Sequence, residues 1–276
     1  MITGINIVRN CIQTGYPFIE AILSAYPMCG EYLVNDGGST DGTLEALITL
    51  SYVYPHLRVL QIPDGDNIRW DSVSDQINQM ISESQGDILF LGNADELIHE
   101  RDLPRVTKFL EITPWLPVYR FDRKEIKQDW SGFGEDVYHP ARLTHNVEGL
   151  YQDWNAYGGD EFMQRRPEGR KWFDPNRRMK MCIDLHHLYN MFPENRVEKL
   201  RNDAEYLAPG DKQRVRTYEK LKDSAPQYMK PKQVWGGLPA LARGLPYMGK
   251  YHIRECLYDV DWVEKVTGLN YGEVNV

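Results

Sequence analysis

The sequence predicts an α/β protein built on a mostly parallel, Rossmann-like sheet flanked by helices. Three observations carry this reading. First, four short apolar or alternating runs read as strands: Ile2 to Val8, Glu31 to Val34, Leu57 to Ile62 and Ile88 to Leu91. Second, the segments between them carry apolar residues at helical spacing: Phe18, Ile19, Ile22 and Leu23, then Leu44, Leu47, Ile48 and Leu50, then Val73, Ile77, Met80 and Ile81. Third, Ile88-Leu89-Phe90-Leu91 is apolar on every side, as a strand covered on both faces must be. Together they give β-α-β-α-β-α-β, the pattern of a doubly wound sheet.

Each element has a local reason. The first strand ends at Arg9-Asn10. Pro17 opens the next helix, because proline is favoured in a first turn, and that segment ends near Pro27. The second strand ends at Val34. Asn35-Asp36-Gly37-Gly38 then reads as a tight turn, since these residues tolerate unusual backbone angles. Ser39, Thr40 and Asp41 are suited to cap the helix that follows. After the third strand comes the loop Pro63-Asp64-Gly65-Asp66-Asn67. Ser72 to Ser84 reads as a helix, punctuated by Gly86-Asp87. Gly92-Asn93-Ala94-Asp95-Glu96 directly follows the fourth strand, and a helix spans about Asp102 to Leu110. Pro114-Trp115-Leu116-Pro117 is a break.

From Val118 the pattern changes. Val118 to Phe121 is a strand, and short strands and loops with many aromatics run on to about residue 190. Gly158-Gly159-Asp160-Glu161 suits the opening of a short helix. Lys180 to Leu185 reads as a closing strand that ends at His186-His187. Residues 194–225 are strongly charged and helical, and Val260 to Thr267 reads as a last helix. The expected division is therefore 1–115, 116–190 and a mainly helical C-terminal extension, 191–276.

Bulk properties narrow the function. Over 276 residues, 42% hydrophobic content supports a sizeable core, and a formal net charge of -8 argues against an extended nucleic-acid surface. A small nucleotide or a divalent cation stays compatible with that charge. Cys11, Cys29, Cys182 and Cys256 form no CxxC pair, which fits a reducing compartment. No run approaches the roughly 20 apolar residues of a membrane span. No basic stretch followed by an apolar one opens the chain. A soluble, cytoplasmic protein is the expectation. The 7 Trp and 17 Tyr suit sugar rings and ordinary cores equally.

In open α/β sheets ligands bind at the carboxyl ends of the strands. Arg9-Asn10, Asp36, the Asp64 to Asp71 stretch and Asp95 all follow such ends, and Asp36 and Asp95 are expected to converge on one crevice. A strand, a Gly-rich turn and a helix N-terminus at residues 30–43 also suit a phosphate or sugar ligand.

Three motifs in this order resemble family-2 glycosyltransferases with the GT-A fold. Asn35-Asp36-Gly37-Gly38-Ser39-Thr40-Asp41-Gly42-Thr43 resembles that family's nucleotide-binding Asp-Asp-Gly-Ser-Thr-Asp-Gly-Thr, with Asn35 at the first acid and Gly37 as an extra glycine. Gln76-Ile77-Asn78, Gly86-Asp87, a strand and Asn93-Ala94-Asp95 resemble its helix with an Asn, its Gly-Asp pair and its metal-binding DxD. Val8-Arg9-Asn10 is similar to its first strand end. The resemblance covers about residues 1–110.

What the resemblance implies is transfer of a sugar from a nucleotide-diphosphate donor to a carbohydrate or other hydroxyl acceptor. The donor would be a UDP-sugar most readily, the enzyme hexosyltransferase-like, and the configuration inverted. Residues 1–115 would bind the donor and 116–190 the acceptor. Donor contacts would come from Val8, Arg9, Asn10, Asp36, Gly38, Asp71, Asn78, Asn93 and Ala94. Mn²⁺ or Mg²⁺ would bridge the phosphates, held by Asp95 and by His186, with the adjacent His187 as the alternative. Asn93 stands where the first acid of the DxD is usual, and Glu96 is a candidate second acid. Inversion needs a carboxylate base. Asp153, beside Tyr151 and Trp154, is preferred, with Asp160 and Glu161 the other candidates. Among Arg142, Arg165, Arg166 and Arg170, one would meet the diphosphate or an anionic acceptor. Two other classes stay open: a GT-A-fold nucleotidyltransferase, which wants a Gly-rich loop that Arg9-Asn10-Cys11-Ile12 does not supply, and a degenerate, non-catalytic sugar- or nucleotide-binding protein.

Overall fold

Ile2–Val8 forms β1, the strand on which the sheet is centred. It pairs in parallel with β2 (Glu31–Asp36) on one side. In the computed structural model the described residues are 1–61, 70–126, 133–135, 139–153, 161–166, 169–172, 178–188, 192–202, 204, 212–221, 238–243, 245, 248 and 250–272. Strand β3 (Leu57–Leu60) extends the sheet beyond β2, and β4 (Ile88–Gly92) lies parallel on the far side of β1.

The crossovers explain the apolar spacing. A short α1 (Cys11–Thr14) precedes α2 (Phe18–Ala25), then come α3 (Thr43–Val53) and α4 (Trp70–Glu83). Phe18, Ile22, Leu47 and Leu50 pack with Tyr32, Val34 and Phe90 on one face of the sheet. Ile77, Met80 and Ile81 pack with Ile5, Leu33, Leu89 and Leu91 on the other. Neighbouring strand residues point to opposite faces, so a strand covered on both sides has to be apolar throughout. Gly4 stands in register with Tyr32, and a Cβ on Gly4 would lie 2.5 Å from the Tyr32 ring. The missing side chain is what lets that ring lie across β1.

The sheet continues past residue 115 without a break. After β5 (Glu96–Ile98) and α5 (Leu103–Ile112) come β6 (Val118–Ile126), β7 (Phe133–Glu135), β8 (Ala141–His145) and later β12 (Arg178–His187). The order is β3-β2-β1-β4-β8-β6-β12-β5, with β7 on β6. Strand β8 is antiparallel to both β4 and β6, β6 is parallel to β12, and β5 is antiparallel to β12. A separate three-stranded sheet joins β9 (Leu150–Asp153), β10 (Glu161–Arg166) and β11 (Gly169–Trp172).

The C-terminal region contributes α6 (Arg196–Asn202), α7 (Lys212–Leu221) and α8 (Val260–Thr267). It returns to the first half through buried polar anchors. The Tyr54 hydroxyl donates to the Leu257 carbonyl at 2.7 Å, and the Tyr271 hydroxyl to the Leu23 carbonyl at 2.9 Å. Buried Glu20 accepts from the Tyr251 hydroxyl at 3.0 Å and from Arg254. No helix among the described residues is long and apolar enough to cross a membrane.

Several element expectations need correction. Strand β2 runs on through Asn35 and Asp36, so these two residues are strand rather than turn. The short α1 and β5 carry no readable period. Strand β5 exists because it pairs with β12, a contact about ninety residues away in sequence. Glu161 opens a strand, not a helix, because β10 is held antiparallel to β9 and β11.

Candidate active site

The two loops at the ends of β1 and β2 are tied into one unit by the motif's own polar groups. The Gly37 amide donates to the Val8 carbonyl at 2.9 Å. Asn10, in the left-handed region at φ 46°, donates its amide to Ser39 Oγ at 2.9 Å and accepts from the Thr40 amide through Oδ1 at 2.8 Å. Asp41 accepts from the Gln13 amide at 2.7 Å and from the Thr43 amide at 3.1 Å, and Thr43 Oγ1 accepts from the Cys11 amide at 3.0 Å. Gly38 has φ 87°, and a side chain there would meet open space, so glycine is needed for its backbone angle and not for room. Arg9 follows Val8 at the end of β1.

Asp36 is buried at the end of β2. Its Oδ2 accepts from the amides of Gly38 at 3.0 Å and Ser39 at 2.8 Å. Its Oδ1 is equally buried and has no hydrogen-bond partner among the described residues. A buried carboxylate oxygen without a donor is costly, so this atom is suited to accept a further hydrogen bond.

The next motif holds the scaffold. The Asn35 side-chain amide donates to Gln76 Oε1. Asn78, which the motif resemblance puts at the donor, turns to the chain itself. Its Nδ2 donates to the Gln152 carbonyl at 3.0 Å and its Oδ1 accepts from the Gln152 amide at 2.7 Å. That double bond pins α4 to β9, one residue before Asp153. Asp71 lies in the first turn of α4.

Asp95 is the centre of a charged cluster at the end of β4. Because β5 pairs with β12 at Glu96 and His187, the preceding residue is brought against His187. The Leu188 amide donates to the Asp95 carbonyl at 2.7 Å and extends the same ladder. His187 Nε2 stands 3.2 Å from Asp95 Oδ2, and its Nδ1 stands 2.6 Å from Glu125 Oε1. Arg123 approaches Glu125 at 3.3 Å. Lys199 Nζ, on α6, lies 3.8 Å from Asp95 Oδ2 and 3.7 Å from the centroid of the Tyr16 ring. Burial alone would raise the Asp95 pKa, but the charge and hydrogen bond of His187, with Lys199 and Arg123, hold it down at about 2. Burial alone would lower the His187 pKa, and Asp95 and Glu125 together lift it to about 9. Asn93 is half-buried and Ala94 is partly covered just before Asp95.

His186, the expected ligand, points the other way. It is buried with its ring 6.0 Å from that of His99. The parity of β12 sends one histidine of the pair to each face, and His187 is the one that meets Asp95. Glu96 and Arg142 are also engaged elsewhere. They form a fully buried two-point pair at 2.7 and 2.9 Å, so neither faces a ligand.

A hard divalent cation wants several oxygen ligands. Among the described residues no group of three or more His, Cys, Asp or Glu side chains suits a metal, so Asp95 is the one carboxylate offered and the remaining ligands would have to come from waters and the donor's phosphates. Asp95 is a single carboxylate whose Oδ2 faces two cationic side chains. His187 has a carboxylate at each nitrogen, and with a pKa of about 9 both nitrogens carry protons near neutrality. Freeing a lone pair there at pH 7 costs about 3 kcal/mol. An ammonium about 5 Å from a divalent ion repels it by roughly 7 kcal/mol at an effective dielectric near 20.

Of the candidate bases, Asp153 ends β9 and Glu161 begins β10, and the two are paired in register across the strands. Asp160 lies outside the described residues, as does the expected loop Pro63 to Asn67. Sequence reasoning missed Glu125 and Lys199. Both lie in segments with no recognisable motif, and only the pairing of β5, β12 and β6 and the docking of α6 bring them to Asp95.

No family profile matches the sequence, and no curated protein matches it either. Among solved structures, S. aureus TarS is similar over 84% of this chain and 46% of its own, at 14% identity and a TM-score of 0.48. A mannosyltransferase from Pyrobaculum calidifontis, solved with GDP-Man and Mn²⁺, is similar over 43% of this chain and 34% of its own, at 20% identity and a TM-score of 0.34. Glucosyl-3-phosphoglycerate synthase from Mycobacterium tuberculosis, solved with Mn²⁺, UDP and glucosyl-3-phosphoglycerate, is similar over 45% and 44%, at 18% identity and a TM-score of 0.34. This chain spans less than half the length of each of these three. The likeness is one of fold, GT-A-like as the motifs implied. At such identities and scores no residue role or activity passes across.

Proposed function

We propose that this chain is a glycosyltransferase that uses a nucleotide-diphosphate sugar, a UDP-sugar first among candidates. One observation carries the reading. Two buried acids stand at the carboxyl ends of β2 and β4, the parallel strands on either side of β1 in a GT-A-like sheet: Asp36 with a carboxylate oxygen awaiting a donor, and Asp95 held against His187 and Lys199. Asp36 Oδ1 suits a hydroxyl or N–H of the donor's nucleoside. The cluster around Asp95 suits the charge of a diphosphate.

The reaction would proceed with inversion. An acceptor hydroxyl oxygen attacks the anomeric carbon. The bond from that carbon to the β-phosphate oxygen breaks, and its electron pair leaves with the nucleoside diphosphate. The acceptor's proton passes to a carboxylate, with Asp153 preferred and its cross-strand partner Glu161 next. Asn78 supports this step by holding β9 on α4 through Gln152. The motif resemblance implies Mn²⁺ or Mg²⁺, whereas the donor set around Asp95 argues against such an ion, so no step is assigned to it. The free cysteines support a reducing, cytoplasmic setting.

The test is release of nucleoside diphosphate from a panel of UDP-, GDP- and ADP-sugars, with and without added hydroxyl acceptors. Turnover of one donor supports the reading. Neither turnover nor binding of any nucleotide would overturn it.

A further inference from the structure

Lys199 stands in an unusual place for a lysine. It lies on the charged α6, about a hundred residues beyond Asp95, yet its side chain is only 4% exposed. Lysine is rarely buried without a partner, because its ammonium loses hydration. Here its partners include Asp95 Oδ2 at 3.8 Å and the face of Tyr16 at 3.7 Å.

The placement is built rather than incidental. Asn195, just before α6, donates through Nδ2 to the carbonyls of Ile12 at 3.1 Å and Gln13 at 2.8 Å. Its Oδ1 accepts from the Tyr251 amide at 3.0 Å. Gln13 Nε2 donates to Glu198 Oε1 at 2.6 Å. Gly15, at φ 75°, leaves room for Asn195, because a Cβ there would lie 2.5 Å from the Asn195 Cβ. These contacts dock α6 on α1, just after β1. They aim Lys199 at the carboxyl end of β4, where a diphosphate would lie.

The charge balance points the same way. Around Asp95, the acids Asp95 and Glu125 face Lys199 and Arg123. That sums to zero even with His187 neutral, so an incoming dication meets no net negative charge, while an incoming polyanion meets a fixed ammonium.

We propose that Lys199 is the fixed cation that holds the donor's diphosphate and balances the charge of the departing nucleoside diphosphate, in the place where a divalent ion would otherwise act. This rests on the transferase reading. As the anomeric C–O bond breaks, one further negative charge develops on the β-phosphate oxygen, and an ammonium already held there stabilises it without reorganisation. A lysine suits the task as a compact point charge.

The test is calorimetric titration of the full-length chain with UDP, GDP and ADP, in EDTA and again in Mn²⁺, with melting curves for each variant. The wild type should bind its preferred nucleotide equally well, within about twofold, in both. Lys199→Gln should weaken binding at least about tenfold in EDTA, and Lys199→Arg should stay within about threefold of wild type. Binding that is lost in EDTA and restored by Mn²⁺ overturns the role of Lys199 while leaving the transferase reading intact. So does a folded Lys199→Gln variant that binds like wild type, since the lysine would then merely neutralise Asp95. The wild-type comparison stands even where a variant fails to fold. Binding of no nucleotide under either condition overturns both readings together.

Discussion

Replacing His187 with glutamine removes the positive charge at the centre of the Asp95 cluster, and its effect on stability should depend on pH. The folded pKa of His187 is about 9, against 6.5 for the free side chain. A group whose pKa is raised on folding stabilises fully below the unfolded value and loses that contribution as pH rises through the folded one. The difference of about 2.5 pH units corresponds to about 3 kcal/mol, present at pH 6 and lost by about pH 10. The side chain is 12% exposed, so solvent screening takes away little of this. The low pKa of Asp95 expresses the same attraction from the other side and is not added to it. Urea unfolding of wild type and His187→Gln at pH 6, 8 and 10 measures the difference. Wild type should be more stable by about 3 kcal/mol at pH 6, and the gap should shrink from about pH 6.5 upward, to roughly half at pH 8 and close to zero at pH 10. A gap that stays constant across that range would refute the assignment of His187 as the charged partner of Asp95.

Other changes test separate parts of the structure. Gly4→Ala places a methyl 2.5 Å from the Tyr32 ring and should destabilise by about 1–3 kcal/mol, read as a lower melting temperature; an unchanged melt counts against that contact. Arg142→Met leaves Glu96 buried without its partner and should cost about 3–5 kcal/mol in urea unfolding, while adding Glu96→Leu should recover most of it. Asp36→Asn should leave the fold intact but lower nucleotide affinity about tenfold by calorimetry, because the single amide oxygen stays on the Gly38 and Ser39 amides and an NH2 donor replaces the unpartnered acceptor. Asp153→Asn should reduce kcat at least about a hundredfold with little change in donor affinity; if Glu161→Gln does so instead, the base lies on β10.

Much of the first half is legible in the sequence because its signals are local. Ile2 to Val8 and Val260 to Thr267 coincide with β1 and α8, and the helical spacing of Phe18 to Leu23 and Val73 to Ile81 matches α2 and α4. Asp36 closes β2 and Asp95 lies just beyond β4, close to where the strand readings put them. The parts that are not legible depend on long-range pairing. Three residues, Glu96 to Ile98, show no period, and β5 arises only against β12. That same pairing decides which of two adjacent histidines meets Asp95. The motif residues Asn10 and Asn78 look like donor contacts in sequence, yet their side chains bind the chain's own backbone. Lys199 is hidden among many charges on α6, where spacing alone shows only a solvated helix.

The measurement closest to the central claim is release of nucleoside diphosphate from nucleotide sugars by the purified chain, followed beside an Asp36→Asn control. Turnover of at least one UDP-sugar is expected, strongly reduced in the variant. No release and no nucleotide binding across the UDP, GDP and ADP series would contradict it.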